Sequence, residues 1–233
     1  ALFEKLHDKY GADTAGKVTV LLSPSNVQWV SDDFLQRTKE YAVRYRAGIH
    51  MHLVESFYQK EYGLRAWSQT PVAHLAELGF LGPELSCAHA VWLTGDDMDL
   101  LAQSGVTVCH NPSSNLRLKN GVAPVNAMLA KGINVALGTD STAINDDDDM
   151  LQEVRLASKL HREPGIDAPA LSTHQALGMA TINAAQATFF QGRIGALEKG
   201  RRADLVLLDL TAMEEPVSFD AADLRAEKEK VLS

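Results

Sequence analysis

Residues 85–110 read LSCAHAVWLTGDDMDLLAQSGVTVCH. An apolar run, Leu85 to Leu93, gives way at Thr94 to an amphipathic stretch ending near Ser104, and a second apolar run follows from Val106 to His110. Thr94 is placed to N-cap the intervening helix, because its hydroxyl can accept one of the backbone N–H groups that a helix start leaves unpaired. A short strand, a helix of about ten residues and a second strand form a βα unit whose strands run parallel.

The same alternation extends both ways. Upstream, Ala47 to Val54 (AGIHMHLV) is strand-like, and so is Lys17 to Leu22 (KVTVLL), closed by Ser23-Pro24. Between them Ser31 opens an amphipathic stretch to about Arg46, with Asp32 and Asp33 in the first turn, where the helix dipole favours acids. Pro71 to Leu78 reads as a helix that stops at Gly79. Downstream, a helix around Ala123 to Ala130 precedes the strand Ile133 to Leu137, and helices follow at Asp149 to His161 and Ser172 to Ala187. Repeated βα units of this kind build either an open doubly wound sheet or a closed barrel. No glycine-rich phosphate fingerprint follows any strand, which leaves a dinucleotide fold without support. Arg193 to Leu197 and Ala203 to Leu210 (ADLVLLDL) read as two strands joined by a turn, outside the main sheet, and Ala221 to Leu232 is charged and helix-compatible.

The chain has 233 residues, 45% of them hydrophobic, and a formal net charge of −8. The acidic balance argues against nucleic acid or an anionic membrane as the main partner. Two cysteines, Cys87 and Cys109, build no disulfide framework, so a reducing, cytoplasmic setting is expected. No apolar run reaches the roughly 18–20 residues of a membrane span. No charged-then-apolar leader follows Ala1, and the absence of an initiator Met points to further residues upstream.

The expected strands carry chemistry at their carboxyl ends. One ends in His50-Met51-His52 with Glu55 close behind, the next carries His89, the next ends at His110, and the last runs into Gly138-Thr139-Asp140. Loops at these ends converge on one face in parallel α/β architectures. Residues i and i+2 of a strand share a face, so His50 and His52 point the same way. Imidazole nitrogen and carboxylate oxygen hold Zn²⁺ while leaving a position open to water, and such an ion brings the pKa of its water towards about 7. A carboxylate and an imidazole beside it manage the protons.

The segments IHMHLVES (49–56), CAHAVWLTGDDMDLLAQSGVTVCHNPSSNLRLKNGVAPV (87–125) and INVALGTDSTAINDD (133–147) together resemble the amidohydrolase superfamily, in its branch of cytosine/guanine-type deaminases and triazine (chloro)hydrolases. The later MATINAAQAT and GRIGALEKGRRADLVLLDL resemble the final barrel helix of that family and the return into its small β domain. The resemblance implies an α/β fold: a distorted (β/α)8 TIM-like barrel plus part of a small β-sandwich, with residues 1–190 in the barrel and 191–233 in the β domain and C-terminal tail. It implies that His52 is a metal ligand, that Glu55 hands a proton to a ring nitrogen, that His89 orients and polarises a metal-bound hydroxide, and that Asp140 touches the metal and shuttles a proton to the leaving group. One zinc per site is implied, with iron as an alternative, together with a small heterocyclic substrate, cytoplasmic location and a homo-oligomer. The family's further His-x-His pair is not found upstream of Lys17, so the chain reads as roughly the C-terminal half of such an enzyme.

Several features have plainer readings. His50 is better placed for packing, or for a contact behind a ligand, than for ligation. His110 precedes NPSSN, which resembles a substrate-side loop; His110 and Asn115 are candidate substrate contacts, with a structural role for His110 equally open, and Asn111 and Asn115 could equally hold the turn. Asp146 to Asp149 lacks the alternation and glycine of a calcium loop and reads as helix-start acids. Cys87 and Cys109 read as small core residues, and His7, His161 and His174 as surface residues. Trp29, Phe57, Tyr58 and Trp67 are placed in or near loops after strands, for stacking or for packing. Three functions compete: a metal-dependent deaminase of a purine, pterin, pyrimidine or triazine-like ring; an s-triazine hydrolase expelling chloride or an alkylamine; and an inactive barrel module.

Overall fold

The computed structural model describes residues 2–11, 17–145, 147–165, 167 and 169–209. The chain divides into two compact units, Ala1–Arg202 and Ala203–Ser233. Among its described residues the first unit holds four strands, β1 (Ile49–Leu53), β2 (Leu85–His89), β3 (Thr107–His110) and β4 (Asn134–Leu137), all parallel and in the order β1-β2-β3-β4. Eleven α-helices and one 3-10 turn (Val27–Trp29) accompany them among the described residues: α1 (Leu2–Tyr10), α2 (Asp32–Tyr45), α3 (Phe57–Trp67), α4 (Pro71–Glu77), α5 (Gly95–Ser104), α6 (Pro112–Arg117), α7 (Val125–Ala130), α8 (Thr142–Asn145), α9 (Met150–Leu160), α10 (Thr173–Ala180) and α11 (Ile182–Ala187). Each strand lies beside the next in sequence with no reversal of order. This succession builds a barrel wall, whereas a doubly wound sheet reverses its strand order partway.

Register explains the two faces of the sheet. Met51, Cys87, Val108 and Val135 align across it. They share one buried core with Leu35 of α2, Leu75 of α4, Leu101 of α5 and Met128 of α7. Fully burying each such side chain contributes about 1.5–3 kcal/mol. The opposite face is polar. His50 Nδ1 is hydrogen-bonded to Ser86 Oγ at 2.7 Å, and Asn134 Nδ2 donates to Thr107 Oγ1 at 3.2 Å. One row further along, His52, Ala88, Cys109 and Ala136 align on this same face.

Local signals set most boundaries. Ser31 caps α2 by accepting from the Phe34 N–H, and Thr94 and Asp97 form a reciprocal capping box at α5. Asp149 caps α9 through the N–H groups of Leu151 and Gln152, a helix-start role for this member of the acidic run, while Asp146 lies outside the described residues. Other expectations fail for physical reasons. Lys17 to Leu22 is not a strand: Leu22 bridges Ile49 and Asn26 bridges His52, but Pro24 has no N–H to give and Ser25 turns away with φ 64°. The β2 run stops at His89 instead of Leu93, because His89 and Ala90 leave extended geometry with φ 73° and 48°. The helix expected over 172–187 breaks at Thr181. NPSSN is a helix start with Pro112 in its first turn, where the missing N–H costs nothing, and Phe57, Tyr58 and Trp67 belong to α3, not to loops.

The strand pair expected at 193–197 and 203–210 is not formed. Residues 193–196 are turns and bends, and in the second unit residues 203–209 carry no regular structure, with Val206 and Leu207 85% and 93% exposed. An apolar run holds a strand only against a partner, and none pairs with it among the described residues. Leu210 and the helix expected over 221–232 lie outside the described residues.

Candidate active site

At the carboxyl end of the sheet, ligand atoms of His52, Glu55 and His89 all lie within 4.8 Å of one another. His89 Nε2 is 3.9 Å from Glu55 Oε2 and 4.0 Å from Asp140 Oδ2. The four residues come from β1, the turn after it, β2 and the segment after β4. His89 aligns with Leu53, a buried core residue, yet its ring stacks on that of His52 with centroids 5.4 Å apart. Its left-handed backbone is the departure that accompanies this placement.

Strain concentrates here. Ser25, Val54, His89, Ala90 and Asp140 all have positive φ without being glycine, and Val54 at φ 39° is β-branched, where this region is least tolerated. Such conformations cost about 1–3 kcal/mol each and persist where the surroundings over-determine them. The carbonyl of Val54 accepts from the N–H groups of Val91 and Trp92, which ties the turn after β1 to the turn after β2. Gly138 answers a different constraint: a Cβ there would lie 2.8 Å from Asn111 Nδ2.

A second layer orients each group. His52 Nδ1–H donates to the Ser25 carbonyl at 2.9 Å, which leaves the Nε2 lone pair outward. His89, 1% exposed, donates from Nδ1 to Asn115 Oδ1 at 2.9 Å. Glu55 Oε1 accepts from Asn120 Nδ2 at 2.9 Å, and Asp140 Oδ2 accepts from Ser114 Oγ at 2.6 Å. The donor types suit zinc or iron, and the outward Nε2 of His52 is the arrangement a ligating imidazole needs.

The other candidates separate. His50 shares the polar face but bonds to Ser86 and lies outside the close trio; burial first, then the imidazoles of His52 and His89, lower its pKa. His110 is fully buried, with its Nε2 2.9 Å from the Nε2 of His161. Burial holds the His110 pKa well below its ordinary value and lowers that of His161 to about 4. His161 is therefore not the surface residue its sequence context suggests, because the end of α9 folds it against β3; His174 is exposed, and His7 is half-buried against Phe3 and Tyr45. Asn115 carries a positioning contact, and its Nδ2 is buried without a partner among the described residues. Cys87 is a core thiol, as expected, whereas Cys109 is half-buried on the polar face of the sheet; burial pushes Cys109 up to about 12 and Cys87 higher still. Ser25, Ser114 and Asn120 carry no sequence signal that marks them as supports of the site. Ser114 sits inside NPSSN, but a backbone carbonyl and a lone asparagine leave no pattern to read.

Sequentially ordered parallel βα units with imidazoles and carboxylates gathered at their carboxyl ends define a class, the (β/α)-barrel proteins with a metal-site constellation. A model of the amidohydrolase family matches residues 1–229, and the chain belongs to that family. It is 36% identical over 207 residues to the 5-methylthioadenosine/S-adenosylhomocysteine deaminase of Caldanaerobacter subterraneus subsp. tengcongensis, covering 89% of this chain and 48% of that protein. An adenosine deaminase from Xanthomonas campestris, solved with bound zinc, superposes with a TM-score of 0.88 at 33% identity, covering 96% of this chain and 51% of that one. An atrazine chlorohydrolase from Arthrobacter aurescens TC1, complexed with zinc, superposes with a TM-score of 0.81 at 29% identity over 87% of this chain and 45% of that one. The chain thus spans about half the length of the relatives it matches, and its fold is part of the family's barrel.

Proposed function

We propose that the full-length protein is a metal-dependent hydrolytic deaminase of a nitrogen heterocycle. The observation that carries this reading is the convergence of His52, Glu55 and His89, with Asp140 against His89, at the carboxyl end of a parallel sheet. His52 and Asp140 would hold one divalent ion, zinc or iron, which when bound supplies the Lewis acidity that makes water nucleophilic near neutral pH.

The chain's own residues handle the protons. Glu55, steadied by Asn120, delivers a proton to the ring nitrogen next to the attacked carbon. His89, with Nδ1–H committed to Asn115, keeps Nε2 directed at Glu55 and Asp140 and so orients the attacking water. Asp140, held by Ser114, takes the proton released on attack and passes it to the leaving amine. His110 and Asn115, whose buried Nδ1 and Nδ2 have no partner among the described residues, are the proposed substrate contacts.

The names of the relatives favour an aminopurine nucleoside as substrate. Likeness to the atrazine chlorohydrolase supports a second reading, displacement of chloride or an alkylamine from a triazine. Assays of the full-length protein on 5-methylthioadenosine, S-adenosylhomocysteine, adenosine, guanine and atrazine, following ammonia and chloride, separate the two. Ammonia from a purine supports the first reading, chloride from atrazine the second, and release of neither from any substrate contradicts both. A homo-oligomer in the cytoplasm completes the proposal. The two free thiols support a reducing compartment, and no helix among the described residues is long and apolar enough to cross a membrane. Light scattering of the full-length protein tests the assembly.

A further inference from the structure

Three consecutive residues in the first turn of α6 hold three different partners. Ser113 donates its backbone N–H to Glu153 Oε2 at 3.2 Å and its hydroxyl to Glu153 Oε1. Ser114 donates to Asp140 Oδ2 at 2.6 Å, and Asn115 accepts from His89 Nδ1 at 2.9 Å. Two of these contacts fix groups of the proposed active site. The third reaches back to α9.

Glu153 is fully buried. A carboxylate removed from water is costly unless its oxygens are hydrogen-bonded, and breaking one partner of such a group is more damaging than never having built it. The far end of α9 makes a second attachment: His161, just past its last turn, meets His110 at the end of β3, two residues before α6 begins. α9 therefore grips the β3–α6 junction at two points, and Glu153 is the grip next to Ser114 and Asn115.

We propose that Glu153 is a positioning residue: by holding Ser113 it sets the placement of the α6 turn, and through Ser114 and Asn115 it orients Asp140 and His89. The inference rests on the deaminase reading, and it assigns Glu153 no contact with substrate or metal. Glu153→Gln exchanges an acceptor for a donor facing Ser113 while keeping the volume. In the full-length protein this variant is expected to weaken zinc binding, measured by competition with a chelator, by roughly 10- to 100-fold. It is expected to lower kcat by a similar factor while moving KM less than about threefold, because orientation of proton-handling groups matters most in the transition state. Ser113→Ala removes only the hydroxyl contact and moves both readouts the same way by a smaller factor. The double variant falls no further than Glu153→Gln alone, since both act through one contact.

A purely structural role predicts a lower melting temperature with zinc affinity and kcat of the folded protein within about twofold of the unsubstituted protein, and that result overturns the proposal. Additive losses in the double variant overturn it as well. Where Glu153→Gln does not fold, Ser113→Ala decides: zinc affinity unchanged from the unsubstituted protein is again a refutation. An unsubstituted protein that binds no zinc and releases no ammonia defeats the deaminase reading itself, which separates the two failures.

Discussion

Replacing Asn115 with alanine removes the contact behind His89 together with the Nδ2 proposed to meet substrate, whereas Asn115→Asp removes only the Nδ2. The imidazole is 1% exposed and gives its Nδ1–H to Asn115 Oδ1 at 2.9 Å. Without that acceptor a buried donor is left unpaired, at a cost of about 1–3 kcal/mol. The ring escapes part of this cost by moving its proton to Nε2. Nε2 then presents hydrogen to Glu55 and Asp140, 3.9 and 4.0 Å away, instead of a lone pair. A loss of about 1.5–3 kcal/mol in transition-state stabilisation corresponds to roughly 10- to 150-fold in kcat. The assay is ammonia release by the full-length protein at saturating substrate, beside urea unfolding of the same preparation. Asn115→Asp keeps an acceptor at the same reach and is expected to lose less than Asn115→Ala. Asn115→Ala with kcat within twofold of the unsubstituted protein, whatever its stability, refutes the orienting role.

Two further predictions concern stability. His110 and His161 are neutral in the folded protein because burial lowers both pKa values, His161 to about 4, while the unfolded chain protonates them near the ordinary 6.5. The unfolded state therefore binds more protons between these values, so stability is intact above about pH 6.5 and falls as pH drops towards 4; His161→Gln should flatten that slope in denaturant titrations, and an identical slope contradicts the assignment. Gly138→Ala forces a methyl to 2.8 Å from the buried Asn111 amide and should destabilise by about 1–3 kcal/mol; a neutral change in urea midpoint shows that the site relaxes freely.

The barrel segment was legible because its signals are local. The strand runs around Ile49, Leu85, Val108 and Val135 are short, apolar and separated by helices whose caps at Ser31 and Thr94 are written in the sequence. The strand-end residues His52, Glu55, His89 and Asp140 followed from position on those strands together with the family resemblance. What failed depended on contacts distant in sequence. Whether Leu22 to Asn26 forms a strand turns on its pairing with β1 across Pro24, and Val206 and Leu207 need a partner that is absent among the described residues. His161 looked solvent-exposed because nothing near it in sequence announces His110, 51 residues away. The supports at Ser25, Ser114 and Asn120 were invisible for the same reason: each is a common residue whose role exists only once the chain has folded.

The proposed chemistry requires one cation held between His52 and Asp140. Metal analysis of the full-length protein by elemental mass spectrometry, repeated on His52→Ala and Asp140→Asn, tests this most directly. The expected result is about one zinc or iron per chain in the unsubstituted protein, substantial loss in both variants, and loss of ammonia release with it. An unsubstituted protein free of zinc, iron and manganese, together with full activity in Asp140→Asn, would contradict it.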